Sequence, residues 1–182
     1  MMPPEQQPEM VFFDIETTIP RRRGEGYSML EFGAVVVDGT ALLEKRTYST
    51  LIRPLNLKSI SHRSVECNHI TKRMAERAPS FDDGTAAGTS RRTRTRTRLG
   101  SMLAHPRSLL VALVAVRSPV PACAVAEKIF WTLDGKVWCG HNIKQFDIPR
   151  LNEHFAAAGR PCPSPAGVID TLPLLRRTFG TR

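Results

Sequence analysis

Residues 11–18 read VFFDIETT, and two carboxylates stand two residues apart within them, Asp14 and Glu16. Three apolar residues lead in, as in a buried strand. Side chains at i and i+2 of a strand share a face, so Asp14 and Glu16 sit side by side and Ile15 points to the opposite layer. Two carboxylates that close repel unless a cation lies between them. Mg²⁺ takes oxygen ligands of this kind. The bland reading of Asp-x-Glu is a solvated strand edge; the apolar run in front and Thr17-Thr18 behind make this instance more specific.

The elements that must position this pair can be read along the chain. A strand over 11–17 is followed by a polar loop, Arg21-Arg22-Arg23-Gly24-Glu25-Gly26. Residues 29–37 (MLEFGAVVV) form a second strand ending at the turn dipeptide Asp38-Gly39. Residues 46–53 alternate and stop at Pro54, a third strand. Short links between three strands predict an antiparallel meander. Residues 59–70 read as irregular, and Thr71 caps a short helix through Ala78, before Pro79. Further on, 136–140 form a short strand and 141–147 lead into a helix with Ile148, Leu151 and Phe155 on one stripe. Gly159 closes that helix, 168–170 are a brief strand and 171–179 are helical. The pattern is α/β with a mixed sheet.

A chain of 182 residues, 41% apolar, suits one domain with a sizeable core. Its four cysteines are scattered without a C-x-x-C pair, which argues against a zinc site or disulfide framework and fits a reducing compartment, cytoplasmic or nuclear. Residues 1–10 are rich in Pro, Gln and Glu and lack a signal-peptide pattern; they are expected to be disordered. The longest apolar run, 109–116, is far short of the roughly 20 residues a membrane helix needs. The formal charge of +9 is local: residues 84–124 hold seven arginines and no acid, leaving +2 for the rest. Net charge alone is therefore weak evidence for nucleic-acid binding.

Ser80-Phe81-Asp82-Asp83 resembles a helix start with a capping box, yet Gly84 to Ser90 are small and flexible and an Arg-Thr repeat follows. Helical periodicity resumes at Val125, with Ile129, Phe130 and Leu133 on one face. Joined directly, 80–83 and 125–133 make one capped amphipathic helix. Residues 84–124 therefore read as a basic low-complexity segment interrupting a helix, either an insertion or translated non-coding sequence. A basic surface loop is the alternative.

Phe13-Asp14-Ile15-Glu16-Thr17 resembles the first motif of the DEDD exonucleases, and Gly140-His141-Asn142 with Phe146-Asp147 resembles their second. The text between is similar too, in 31–36, 63–65 and 70–71, as is Ile169-Asp170-Thr171-Leu172 after the second motif. The chain is most similar to the plant DEDDh exonucleases linked to sieve-element enucleation, over about 11–83 and 125–182. That resemblance implies a ribonuclease-H-like fold, incomplete at its C-terminal end, within an exonuclease domain spanning 11–182. It implies 3′-to-5′ removal of nucleotides from DNA or RNA with two Mg²⁺ or Mn²⁺ ions.

In that reading Asp14 bridges the ions, Glu16 holds the one that activates water and Asp147 holds the other. Thr17 and Thr18 contact the terminal nucleotide through backbone or hydroxyl groups, and Asn142 also binds substrate. The alternative for Asp147 is a helix surface acid. His141 is structural in the family, and His62, His69, His105 and His154 are read as surface residues. His69 stands where the family usually has glycine. The family's third motif, a histidine base and a last metal-binding aspartate, has no counterpart, since no His follows His154 and no Asp follows Asp170. Two functions follow: an exonuclease by descent, or an inactive nucleic-acid-binding or regulatory fragment.

Overall fold

The structure is a computed structural model and describes residues 9–82 and 124–180. The expected mixed sheet is present. Strand β1 (Met10–Thr17) pairs antiparallel with β2 (Met29–Val37), which pairs antiparallel with β3 (Glu44–Leu51). Helices α1 (His62–Asn68), α2 (Lys72–Glu76) and α3 (Val125–Leu133) follow. Strand β4 (Val137–Gly140) lies parallel to β1, and β5 (Gly167–Asp170) parallel to β4, giving the order β3-β2-β1-β4-β5. Helix α4 (Asp147–Ala157) joins β4 to β5, and α5 (Thr171–Phe179) comes last. Among the described residues no helix is long and apolar enough to cross a membrane.

The period of two along β1 sorts its side chains. Val11, Phe13 and Ile15 are buried on one face with Phe32, Ala34 and Val36 of β2. Ile129 and Leu133 of α3 and Leu151 and Phe155 of α4 close over them. Each such side chain, fully buried, contributes about 1.5–3 kcal/mol. Trp138 of β4 packs edge-on against Phe13 and donates its indole N–H to the Leu133 carbonyl at 2.8 Å, so even the polar atom of this ring is satisfied. The opposite face carries Phe12, Asp14 and Glu16 and is left partly open.

Two expectations need correction. Residues 62–68 are helical, not irregular; their sequence offers little apolar periodicity, and the helix is held by the Ser61 cap and by tertiary bonds. Ser80 forms a bridge with Arg53 instead of opening a helix, and Phe81-Asp82 form a turn. Asp83 and residues 84–123 lie outside the described residues. The flanks nonetheless meet. Helix α3 has no side-chain cap, and the Ala126 N–H donates to the Phe81 carbonyl at 2.9 Å. Arg160 also pairs with Asp82. Excising 84–124 would leave Phe81 and Ala126 four residues apart, the separation of an α-helical hydrogen bond.

Removal of 84–124 is accordingly expected to leave the melting temperature unchanged or higher, read by circular dichroism; a fall of several degrees would show the segment to be structural. His69 gives a second test. It ends α1 in the left-handed region at φ +61°, where a Cβ is unfavourable and glycine is not. His69→Gly should raise stability by roughly 1 kcal/mol in urea unfolding.

Candidate active site

Asp14 and Glu16 leave β1 on its open face, as the alternation requires. Antiparallel register then sets Glu31 of β2 directly opposite Glu16, and Gly33 opposite Asp14. The second motif arrives from the other side of β1. Gly140 ends β4, and the chain turns through Asn142, in the left-handed region at φ +61°, whose carbonyl accepts the N–H groups of Gln145 and Phe146. Gly140 has no room for a side chain: a Cβ there would meet Ile143 Cγ2 at 2.2 Å and the Phe13 carbonyl at 2.9 Å. Asp147 opens α4, where a carboxylate suits the helix dipole. It is buried, and its Oδ1 accepts the Ile15 N–H at 3.0 Å. One hydrogen bond thus attaches the second-motif acid to the residue between the two first-motif acids.

Electrostatics records this crowding. Burial, then Asp14, then Glu31 push the Glu16 carboxyl up to about 7. Burial, Asp14 and, more weakly, Glu16 push Asp147 up to about 7, against the lowering effect of the Ile15 N–H. Asp14 is raised by desolvation, opposed by the Ile15 N–H and by the nearby His141. Glu31 is raised by burial and Asp14, with a hydrogen bond from Ser49 opposing. Four carboxylates therefore share one region and titrate as a set. Their oxygen donors and like charge fit a hard cation. Yet among the described residues no three His, Cys, Asp or Glu side chains are arranged as a ready ligand group. The donor chemistry fits a divalent ion.

The other named residues are placed as follows. Thr17 and Thr18 are buried; the Thr17 carbonyl accepts from Asn68 Nδ2, and Thr18 Oγ1 accepts from the Ser28 N–H. Ser64 Oγ accepts the Ile19 N–H, so α1 and the end of β1 are fastened at two points. The Asn142 N–H donates to Asp170, whose carboxylate also takes the N–H groups of Lys144 and Leu172. Burial would raise the Asp170 carboxyl, but these three donors hold it below the usual range. Asp170 is thus a joint between the second motif and α5, a role its sequence position did not disclose.

His141 is exposed. Thr171 Oγ1 donates to the Gly140 carbonyl, so the His141 Nδ1 contact at 3.1 Å is a donation to that hydroxyl. Of the histidines read as surface residues, His62 and His69 are exposed and His105 lies outside the described residues. His154 corrects that reading. Its Nε2 accepts the Met29 N–H and its Nδ1 donates to the Arg150 carbonyl, both at 2.8 Å, and burial holds the ring toward its neutral form. It lies beside Leu151 and Phe155 on the inner stripe of α4, a placement the helical period could have revealed. Glu31 was also missed, because its place in the site depends on β-register.

The raised carboxyls have a consequence for stability. Both Glu16 and Asp147 have folded values near 7, above their ordinary 4.5 and 3.8. Their contribution is fully present below the ordinary values and is lost as pH rises through about 7. In chelator, the melting temperature should fall between about pH 5 and pH 8. Asp147→Asn keeps an acceptor for the Ile15 N–H and removes the charge, so it should flatten that fall and melt above the parent at the upper end. Superimposable parent and variant profiles would refute the electrostatic account.

Comparison with known proteins gives the family. The RNase T exonuclease family model matches residues 11–101. Protein NEN2 of Arabidopsis thaliana is 37% identical over 182 residues, which is 100% of this chain and 29% of that protein. Protein NEN4 of the same plant is 36% identical over 174 residues, 96% of this chain and 52% of that protein. The chain thus spans between about a third and half of these two relatives. Among solved structures, exonuclease I in complex with inhibitor BCBP aligns over 98% of this chain and 31% of its own, with a TM-score of 0.63 and 15% identity, a likeness of fold. The five-stranded mixed sheet is of the ribonuclease-H-like kind seen in such exonucleases, and with the first-motif strand inside the matched segment, the chain belongs to the exonuclease family.

Proposed function

We propose that this chain carries the catalytic carboxylates of a metal-dependent 3′-to-5′ exonuclease acting on the 3′ ends of DNA or RNA. The observation that supports it is the Ile15–Asp147 hydrogen bond, which gathers Asp147 beside Asp14 and Glu16. Bound as a pair, Mg²⁺ or Mn²⁺ ions supply an activated water and neutralise charge on the phosphoryl oxygens. Asp14, Glu16 and Asp147 are the residues that would hold them. Asp14 is the most exposed of the three and reaches solvent where a phosphodiester can approach; Asp147 is the most enclosed. Thr17, Thr18 and Asn142 line the polypeptide on either side of these acids, and in this reading they position the terminal nucleotide.

A second reading has its own support. Arg22 and Arg23, exposed on the loop after β1, suit nucleic-acid binding without hydrolysis. The two separate in one assay, release of mononucleotides from a 3′-labelled single strand. The 182-residue chain is expected to show little trimming in Mg²⁺ or Mn²⁺, because its carboxylates do not stand as a ready ligand group among the described residues and Mg²⁺ resists dehydration. A chain bearing the family's third motif should trim faster, and Asp14→Asn should abolish the activity in both. Trimming that survives Asp14→Asn, or that needs no divalent ion, would overturn the assignment.

A further inference from the structure

The loop between β1 and β2 belongs to neither carboxylate motif. It is closed at its base by the Thr18 N–H on the Ser28 carbonyl at 2.8 Å and by the Ser28 N–H on Thr18 Oγ1 at 2.9 Å. Within it, Arg21, Arg22, Arg23 and Glu25 line a concavity of about 470 Å³. Arg21 is fixed: its guanidinium donates to the Lys58 carbonyl at 2.7 Å, and its backbone N–H donates to Glu25 Oε2 at 2.6 Å. Glu25 also stands 3.9 Å from the Arg21 guanidinium, so the loop's one acid offsets the anchored arginine. The side chains of Arg22 and Arg23 are exposed and make no hydrogen bond or ion pair among the described residues. Two guanidiniums are thus presented on a pinned loop, and among the described residues no carboxylate pairs with them.

Their position gives this meaning. Arg22 is six residues beyond Glu16, so its backbone lies within about 20 Å of the Glu16 backbone. A polyanion brought to four carboxylates is repelled by them, and its remaining phosphates need positive charge nearby. Guanidinium forks match phosphate oxygens and remain charged at every relevant pH.

We propose that Arg22 and Arg23 form a phosphate subsite for the single-stranded backbone leading to the terminal nucleotide, with Arg21 as the strut that holds the loop open. This deepens the exonuclease reading and rests on it for the direction in which the strand runs. The subsite makes the chain a reader of strands longer than the terminal nucleotide, through backbone charge and without regard to base.

The test is equilibrium binding of a fluorescein-labelled single-stranded oligonucleotide to the 182-residue chain, in chelator, across a salt series. Each phosphate neutralised on a single strand contributes about 0.7 to the slope of log affinity against log salt. Arg22→Gln with Arg23→Gln should therefore reduce the slope by about 1.4, so that between about 50 and 200 mM salt the variant loses on the order of sevenfold less affinity than the parent. Arg22→Lys with Arg23→Lys should keep the parent slope. The arginines of 91–98 are common to all these proteins, so the difference reports the loop alone. An unchanged slope in the glutamine variant overturns the proposal, as does an equal loss in the lysine variant or a parent that binds no oligonucleotide. Failure of the exonuclease reading is separate: it shows as hydrolysis that survives Asp14→Asn, whatever the slopes.

Discussion

The hydrogen bond from the Ile15 N–H to Asp147 Oδ1 joins residues 132 apart in sequence, and the arrangement of the site depends on it. A buried strand N–H must find an acceptor, and here a side chain provides it in place of a neighbouring strand. β1 pairs with β4 only over Met10 to Phe12, so the ladder has already ended on that side when Ile15 is reached. The vacated edge of β1 is where the start of α4 fits. Strand length, helix position and the gathering of carboxylates are therefore one geometric fact.

The same bond explains a balance in the electrostatics. Donation from Ile15 favours charge on Asp147, while burial and Asp14 oppose it, and the opposition prevails. Such a region gains from a cation and suffers without one. Around it the fold is tied with neutral polar contacts: Thr18 with Ser28, Asn68 with the Thr17 carbonyl, His154 with the Met29 N–H. These fix the backbone on either side of the acids without placing compensating charge among them.

Much of this was legible in the sequence, for identifiable reasons. The strands and α4 show clear periods of two and three to four, and Asp14, Glu16 and Asp147 could be placed from those periods together with the two motifs. What escaped depends on contacts between distant segments. Glu31 looks like any polar residue in an alternating strand until register sets it across from Glu16. Helix α1 has only Val65 and Cys67 as apolar residues, and its support comes from the Ser61 cap on the Ser64 N–H and from Ser64 and Asn68 bonding to Ile19 and Thr17 of a distant segment. Residue type alone puts His154 at the surface, although its helical position turns it inward, and its partial burial is permitted because both ring nitrogens find partners.

Gly140 bears on how sequences of this kind can vary. It has no functional group and touches no substrate in any reading of the site, yet every other amino acid would collide with Ile143 or the Phe13 carbonyl, one residue before Asp14. His141, beside it, projects an exposed ring and leaves room for many side chains. Constraint on variation and chemical participation are thus separated by a single position. In this stretch the residue least free to change is the one with no chemistry of its own.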